Sequence, residues 1–426
     1  MTGYKISRFT LAEPLPGGRV GLFSTLTGAL GVLPAQVWGR VVRNGQQGDR
    51  FLRGLREQGF LVEEGLDEDA VLAHWRTARL YDLSRPRFLV RLNRSCRLAC
   101  PDCAYGRPGG NGAMELSTAR GVLDFIQAEI EGKRPREVSL EFLPPEPLLN
   151  LEVLSYLTEG LGRFCRGGRI PLHVRLSVTG LGLDPAVLEA LQPFGLEAVE
   201  AVLDGPADVH DRRRPDHEGG FTHDRVLQGL AGLKGGFQMA WRGFFDPAGD
   251  EYRRLPELLA DLERAGFKGS SGGVSFHPEP LEGRSGCPWP RECLADWDSS
   301  RALWVREALS AAGFLPPGPP AVRCPGDYQG VTVIEPEGTL RSCPAAVDGD
   351  GFDYGHVLSG RDFRRQAVLS VRRLSEECRS GCPVAPLCDG GCRLRGLREQ
   401  GCFDGVVCHR DTLLELSCAY VRTSVA

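Results

Sequence analysis

The sequence predicts an α/β protein: a partial (β/α)6 TIM-like barrel over residues 86–315, preceded by a winged-helix-like module at 1–85 and followed by a cysteine-rich domain at 316–426. Three observations predict it. From Arg87 a strand, loop and helix pattern repeats six times, the signature of a parallel sheet covered by helices. Before Arg87 the order is different, with short strands first and helices after them. Beyond a proline-rich stretch at 315–320, nine of the fifteen cysteines fall between Cys324 and Cys418 in loop-rich chain.

Within 1–85, apolar stretches at 6–15, 19–26 and 30–33 read as strands around the turn signal Pro16-Gly17-Gly18. Helical patterns follow at 35–43 and 49–58, the second stopped by Gly59. Residues 60–64 read as a wing strand, and 67–81 as a helix whose acidic first turn suits the positive end of the helix dipole. Strands followed by three helices and a wing form a winged-helix layout. Such modules can bind DNA, but a near-neutral charge and the lack of a basic recognition helix point to protein or peptide binding. The unit is expected to be separable from the barrel.

The six barrel strands are expected at 88–92, 137–142, 172–178, 198–203, 238–244 and 273–277, with helices at 117–130, 151–165, 184–191, 223–233, 255–265 and 300–312. Six units fall short of the eight of a closed barrel, so the barrel is open and its site lies at the C-terminal strand ends. A hairpin at 331–334 and 339–342 surrounds Glu335-Pro336-Glu337-Gly338, and the chain ends in a helix near 411–421.

Composition narrows the function. Fifty-one basic residues against 55 acidic ones leave a net charge of −4, which excludes bulk attraction to nucleic acid. Only four of the basic residues are lysine (Lys5, Lys133, Lys234, Lys268), so arginine clusters reflect overall composition rather than phosphate-seeking sites. The uncharged stretch 20–39 is too rich in Gly, Ser, Thr, Pro and Gln to span a bilayer, so no membrane association is expected. Glu13 interrupts the N-terminus before any apolar run, so no secretory signal is read there. The cysteines are therefore assigned to a reducing cytoplasm and to metal rather than to disulfides. Cys165 and Cys418 lie on apolar helix faces and read as buried hydrophobes.

Cys96-x3-Cys100-x2-Cys103 occupies the loop after the first barrel strand. A short wrapped segment there can turn three side chains onto one centre. Three thiolates are one short of a closed four-coordinate site, which leaves a position for chemistry on either zinc or an iron–sulfur cluster. Spacing alone leaves both metals open.

With this C-x3-C-x2-C after the first strand of a partial barrel, the sequence resembles the radical S-adenosylmethionine (SAM) enzymes. The resemblance implies that Cys96, Cys100 and Cys103 hold a [4Fe–4S] cluster that binds SAM, and that an external electron donor such as flavodoxin or ferredoxin drives SAM cleavage to a 5′-deoxyadenosyl radical. The family's aromatic before the third cysteine is Asp102 here, with Tyr105 two residues after that cysteine. Phe142-Leu143-Pro144-Pro145-Glu146-Pro147-Leu148-Leu149-Asn150 resembles the family's F-x-G-G-E-P-L-L-N stretch, which implies a SAM contact around Glu146. Two prolines replace its glycines; they keep carbonyls but lose N–H groups and any positive φ. Ser177-Val178-Thr179-Gly180 resembles a T-N-G segment near the SAM ribose, implying contacts from Ser177 and Thr179. Leu203-Asp204-Gly205-Pro206 with His210, Asp211 and Arg214 matches the L-D-G-P…H-D…R run of peptide-modifying members. Asp204 is then either a turn residue before Gly-Pro or a catalytic carboxylate facing the substrate.

The tail reads Cys324-x13-Gly338-x4-Cys343, then Cys378-x3-Cys382-x5-Cys388-x3-Cys392, then Cys408. Seven thiols are too many for one centre, and by spacing 378–392 also suits zinc. The whole order resembles the SPASM domain, with x3 in place of x2 between Cys378 and Cys382. That resemblance implies two auxiliary [4Fe–4S] clusters, one held by Cys324, Cys343 and Cys392 and one by Cys378, Cys382, Cys388 and Cys408. Cys402 rivals Cys408, and the fourth ligand of the first cluster is Cys287, Cys293, a substrate thiolate or none.

The resemblance covers residues 87–420. It implies hydrogen abstraction from a residue of a ribosomally made precursor peptide, leading to C–S or C–C cross-linking, oxidation or epimerisation. Residues 1–85 resemble the leader-binding element of such maturases. Two other readings stand beside this one: formylglycine formation on a protein partner, as in sulfatase maturation, and a non-catalytic iron–sulfur protein for electron transfer or scaffolding.

Overall fold

The structure, a computed structural model, describes residues 3–44, 49–101, 103, 112–233, 238–245, 250–267, 274–280, 299–314, 319, 321 and 323–425. Cys287, Cys293, Asp102 and Tyr105 lie outside the described residues. Six parallel strands run in sequence order: Arg87–Arg91, Val138–Leu143, Leu172–Val178, Leu196–Val202, Gln238–Phe245 and Val274–Pro280. Helices follow them because alternate residues of each strand are apolar and need cover. Phe88, Val90, Leu140 and Phe142 share one core with Val122, Ile126 and Ile130 of helix Leu116–Lys133 and with Leu154, Leu157 and Leu161 of helix Leu151–Gly168. Helix ends carry their own punctuation. Asp67 caps helix Glu68–Leu80 by accepting from Asp69 N (2.9 Å) and Ala70 N (3.1 Å), and Asp184 caps Pro185–Leu191 with proline at its first turn.

The sheet goes further than the sequence pattern predicts. Strand Val331–Ile334, expected only as half of a hairpin, pairs in parallel with Arg87–Arg91, and Thr339–Arg341, Asp353–His356 and Gly360–Arg361 extend the sheet antiparallel to ten strands. The reason is apolar cover. Val331 and Val333 close over Leu89 and Leu143 on the face of the sheet away from the helices. The same inner face also carries charge, with Arg87 on Glu141 (Nε–Oε1 2.9 Å) and Ser177 donating to Glu200 (3.1 Å), which in turn pairs with Arg242.

One other expectation changes. The strand read at 6–15 is broken after Ile6 into Tyr4–Ile6 and Thr10–Leu15, because Thr10 N turns back onto Ser7 O (2.9 Å) and the Ser7 hydroxyl donates to Glu68 (2.7 Å). Tyr4–Ile6 then pairs with the wing strand Leu61–Glu63, while Thr10–Leu15, Arg19–Ser24 and Leu30–Pro34 form a three-stranded antiparallel sheet. Nor do the N-terminal residues keep all their core to themselves. Phe9, Leu15, Phe23 and Leu72 pack with Val384, Leu387, Leu413 and Val421 of the cysteine-rich tail. Buried polar contacts seal that joint: Arg76 and Arg79 both pair with Asp389, which is 1% exposed, and Thr25 donates to Pro383 O. Among the described residues no helix is long and apolar enough to cross a membrane.

Candidate active site

The C-terminal ends of the parallel strands gather the residues that the sequence singles out. After Arg91 the chain turns at Asn93, whose side chain accepts from Ser95 N (3.0 Å) and donates to Glu146 O (2.7 Å), so the cysteine loop is fastened to the end of the second strand. The loop is then sewn to residues 215–217: Ala99 N donates to Pro215 O (2.8 Å), Leu98 bridges Asp216, and the His217 ring meets Cys96 O (3.0 Å). These ties hold Cys96, Cys100 and Cys103 within electrostatic reach of one another. Burial pushes the Cys96 thiol up to about 12 and raises Cys100, so thiolate here needs a positive partner such as a metal.

Glu146 is fully buried. Its Oε2 accepts from Thr179 N (2.9 Å) and from the Thr179 hydroxyl, and its Oε1 from Leu148 N (3.1 Å). The carboxylate thus joins the second and third strand-end loops, with burial raising its pKa above the usual carboxylate range. The Pro144 carbonyl, one of those the Pro-Pro replacement leaves intact, accepts from Arg91 Nε (2.9 Å). Ser177 sits lower, on its strand, bonded to Glu200.

Asp204, read from sequence as a turn residue or a substrate-facing carboxylate, is 2% exposed and turned onto Arg214 (Nε–Oδ2 2.8 Å). It faces this arginine rather than open space. The rest of the H-D…R run is accounted for locally: His210 Nδ1 accepts from Asp204 N (3.2 Å), and Asp211 accepts from Thr222 N (2.7 Å) and His223 N (2.8 Å), starting helix His223–Ala231. His210 is held neutral, its pKa pushed down to about 3 by burial first and then by Arg214 and His223. Because the unfolded ring titrates near 6.5, the unfolded state binds the extra proton below that pH, and stability present above about 6.5 is lost at up to about 1.4 kcal/mol per pH unit as pH falls. Urea midpoints for the wild type and His210→Asn should converge between pH 7 and pH 5; parallel curves would show that His210 does not contribute this loss.

In the tail, Cys378, Cys382, Cys388 and Cys408 line one small pocket that opens to solvent, with Val384 and His409 among its walls. Cys402, the rival to Cys408, is exposed as Cys408 is, but lies outside that lining. The Asp389-Gly390-Gly391 run makes the loop possible: all three residues have positive φ (53°, 92° and 78°), and a Cβ on Gly391 would lie 2.4 Å from Val407 O. Cys324, Cys343 and Cys392 form a second group within electrostatic reach, beside Asp327. Arg372 stands between the groups, donating to Gly390 O, Gly391 O and Gly405 O (2.6, 2.6 and 2.7 Å) and to Asp327 (3.3 Å). Cys165 is buried in its helix, Cys418 is half-buried, and none of the thirteen described cysteines is in a disulfide. Among the described residues no three Cys, His, Asp or Glu side chains converge to hold a single ion. Thiol-only donor sets, with four thiols spread around a cavity in one case, suit a polynuclear iron–sulfur cluster.

Of the residues that tie these groups together, sequence reasoning named Arg214 without giving it a role and missed Arg372, Arg76 and Arg79 at the tail. Arg214 alone had a signal, as the last residue of the H-D…R run. No protein-family model matches the chain. A curated relative, "PqqA peptide cyclase" of Ruegeria pomeroyi, is 26% identical over 334 residues, 74% of this chain and 83% of that protein. The solved structure of anSMEcpe with bound AdoMet superposes with a TM-score of 0.60 at 16% identity, covering 80% of this chain and 98% of that one. Streptococcus suis SuiB bound to its precursor peptide SuiA superposes at 0.54 and 14% identity, covering 95% of this chain and 99% of that one.

Proposed function

We propose that the chain is a radical SAM peptide-modifying enzyme, that it cleaves SAM reductively and that it removes a hydrogen atom from a residue of a ribosomally made precursor peptide, leading to cross-linking, oxidation or epimerisation. The observation that carries this reading is the gathering of Cys96, Cys100 and Cys103 at the C-terminal strand ends, beside the Glu146–Thr179 junction. A [4Fe–4S] cluster would be held by Cys96, Cys100 and Cys103 and would supply the electron for reductive cleavage of SAM. This chain's residues do the rest. Asn93, Glu146 and residues 215–217 hold the cysteine loop in place at the strand ends. SAM is assigned to the strand ends near Glu146, Ser177 and Thr179.

The tail is assigned as a SPASM domain with two auxiliary [4Fe–4S] clusters, one on Cys378, Cys382, Cys388 and Cys408 and one on Cys324, Cys343 and Cys392. Residues 1–85 are assigned as a winged-helix-like module that grips the leader of the precursor, in keeping with a fold likeness to SuiB that extends over 95% of this chain against 80% for anSMEcpe. The setting assigned is the cytoplasm, with an electron donor of flavodoxin or ferredoxin type. Anaerobic reconstitution should load about twelve irons, three four-iron clusters on the thiols named. The reduced protein, given SAM, should release 5′-deoxyadenosine and, given its precursor peptide, should change that peptide's mass. Bound zinc with no iron–sulfur absorbance would overturn the assignment.

A further inference from the structure

Arg214 reaches the first cysteine group through a contact that the proposed function leaves unused. Its Nη1 lies 3.8 Å from Cys100 Sγ, within hydrogen-bond range for sulfur, while its Nε is held by Asp204 Oδ2 at 2.8 Å. The guanidinium is thus forked between a buried carboxylate and a cysteine sulfur. Its position is over-determined. The Arg214 carbonyl accepts from the Thr222 hydroxyl (2.6 Å), Asp211 anchors residues 222 and 223, and the next three residues are sewn to the cysteine loop. The arginine and the loop therefore move as one piece. The contact is also electrostatic: Arg214 opposes the burial that raises the Cys100 thiol.

Resting on the radical SAM reading, we propose that Arg214 is a positioning residue that sets the reduction potential of the cluster held by Cys96, Cys100 and Cys103, by donating a charge-assisted N–H···S hydrogen bond to Cys100, with Asp204 fixing the direction of the fork. Reduction adds one negative charge to a cluster and its thiolates. A cation donating to a ligand sulfur stabilises that charge more than it stabilises the oxidised form, so the potential rises. Asp204 is then no proton carrier. It orients Arg214 through Nε and partly balances its charge.

The test is a redox titration of the anaerobically reconstituted full chain, following the electron paramagnetic resonance signal that changes when SAM is added, which singles out this cluster. Arg214→Gln should keep the iron content and lower the reduced-to-oxidised ratio about tenfold at a fixed poised potential, a shift of about 59 mV to the negative for a one-electron couple. Arg214→Lys, a point charge without the fork, should fall between the two. An unchanged potential in Arg214→Gln at full iron content overturns the proposal. If Arg214→Gln loses iron, Arg214→Lys decides: a negative shift supports the proposal, and no shift or loss of iron in both variants overturns it in favour of a purely structural role. Failure of the wild type to show a SAM-sensitive signal would instead overturn the proposed function.

Discussion

Replacing Cys96, Cys100 and Cys103 together by alanine should abolish 5′-deoxyadenosine formation, whereas Cys388→Ala should keep uncoupled SAM cleavage and lose the modified peptide. The asymmetry follows from where the thiols lie. The first three sit at the strand ends beside Glu146 and Thr179; Cys388 lines a cavity in the tail, packed against the N-terminal module. Iron content should fall by about four in each case, because each set of thiols is assigned one four-iron cluster. Equal loss of iron with opposite effects on SAM cleavage separates a catalytic centre from an auxiliary one. Undiminished SAM cleavage by the triple variant would remove the first cysteine group from the mechanism.

Asp389→Asn should destabilise the protein by about 3 kcal/mol and loosen the four-thiol loop, because it leaves Arg76 and Arg79 in a partly buried joint without their counter-charge. Asparagine tolerates the left-handed backbone at this position (φ 53°), so the loss is of charge rather than of shape. Deletion of residues 1–85 acts on the same joint with larger effect. It uncovers Val384, Leu387, Leu413 and Val421, each worth about 1.5–3 kcal/mol of burial. The barrel core, which does not use those residues, should persist with its first cysteine group, while iron bound by the tail is lost. Metal analysis and thermal unfolding check both variants. A deletion that retains the tail's iron and its unfolding midpoint would show the joint to be dispensable.

How much of this was legible in one dimension differs from element to element. The barrel strands and helices were readable within a few residues, since a strand with one face under a helix must alternate apolar residues and a helix must repeat them every third or fourth position. Helix Glu68–Leu80 was readable because Asp67 caps it and acidic residues fill its first turn. Helices Ala207–Arg213, Phe363–Ser370 and Arg393–Gln400 were not, being short and rich in charge. The parallel pairing of Val331–Ile334 with Arg87–Arg91 was hidden because its partner lies some 240 residues away, and a four-residue apolar strand carries no mark of where it will bind.

Cys96, Cys100 and Cys103, and likewise Cys378, Cys382 and Cys388, were legible as groups because they recur at turn-length intervals, whereas Cys324, Cys343 and Cys392 lie too far apart along the chain for spacing alone to join them. The sequence by itself determined the α/β class, the order of the barrel's strands and helices, and the spacing of the cysteines. Only the tertiary structure decided that Asp204 faces Arg214, that Arg214 reaches Cys100, that Cys408 lines the cavity that Cys402 does not, and that the N-terminal residues share a core with the tail. The physical reason is range. Periodicity, caps and ligand spacing are set by neighbours along the chain, whereas ion pairs and shared cores join residues that only the folded backbone brings within a few ångströms.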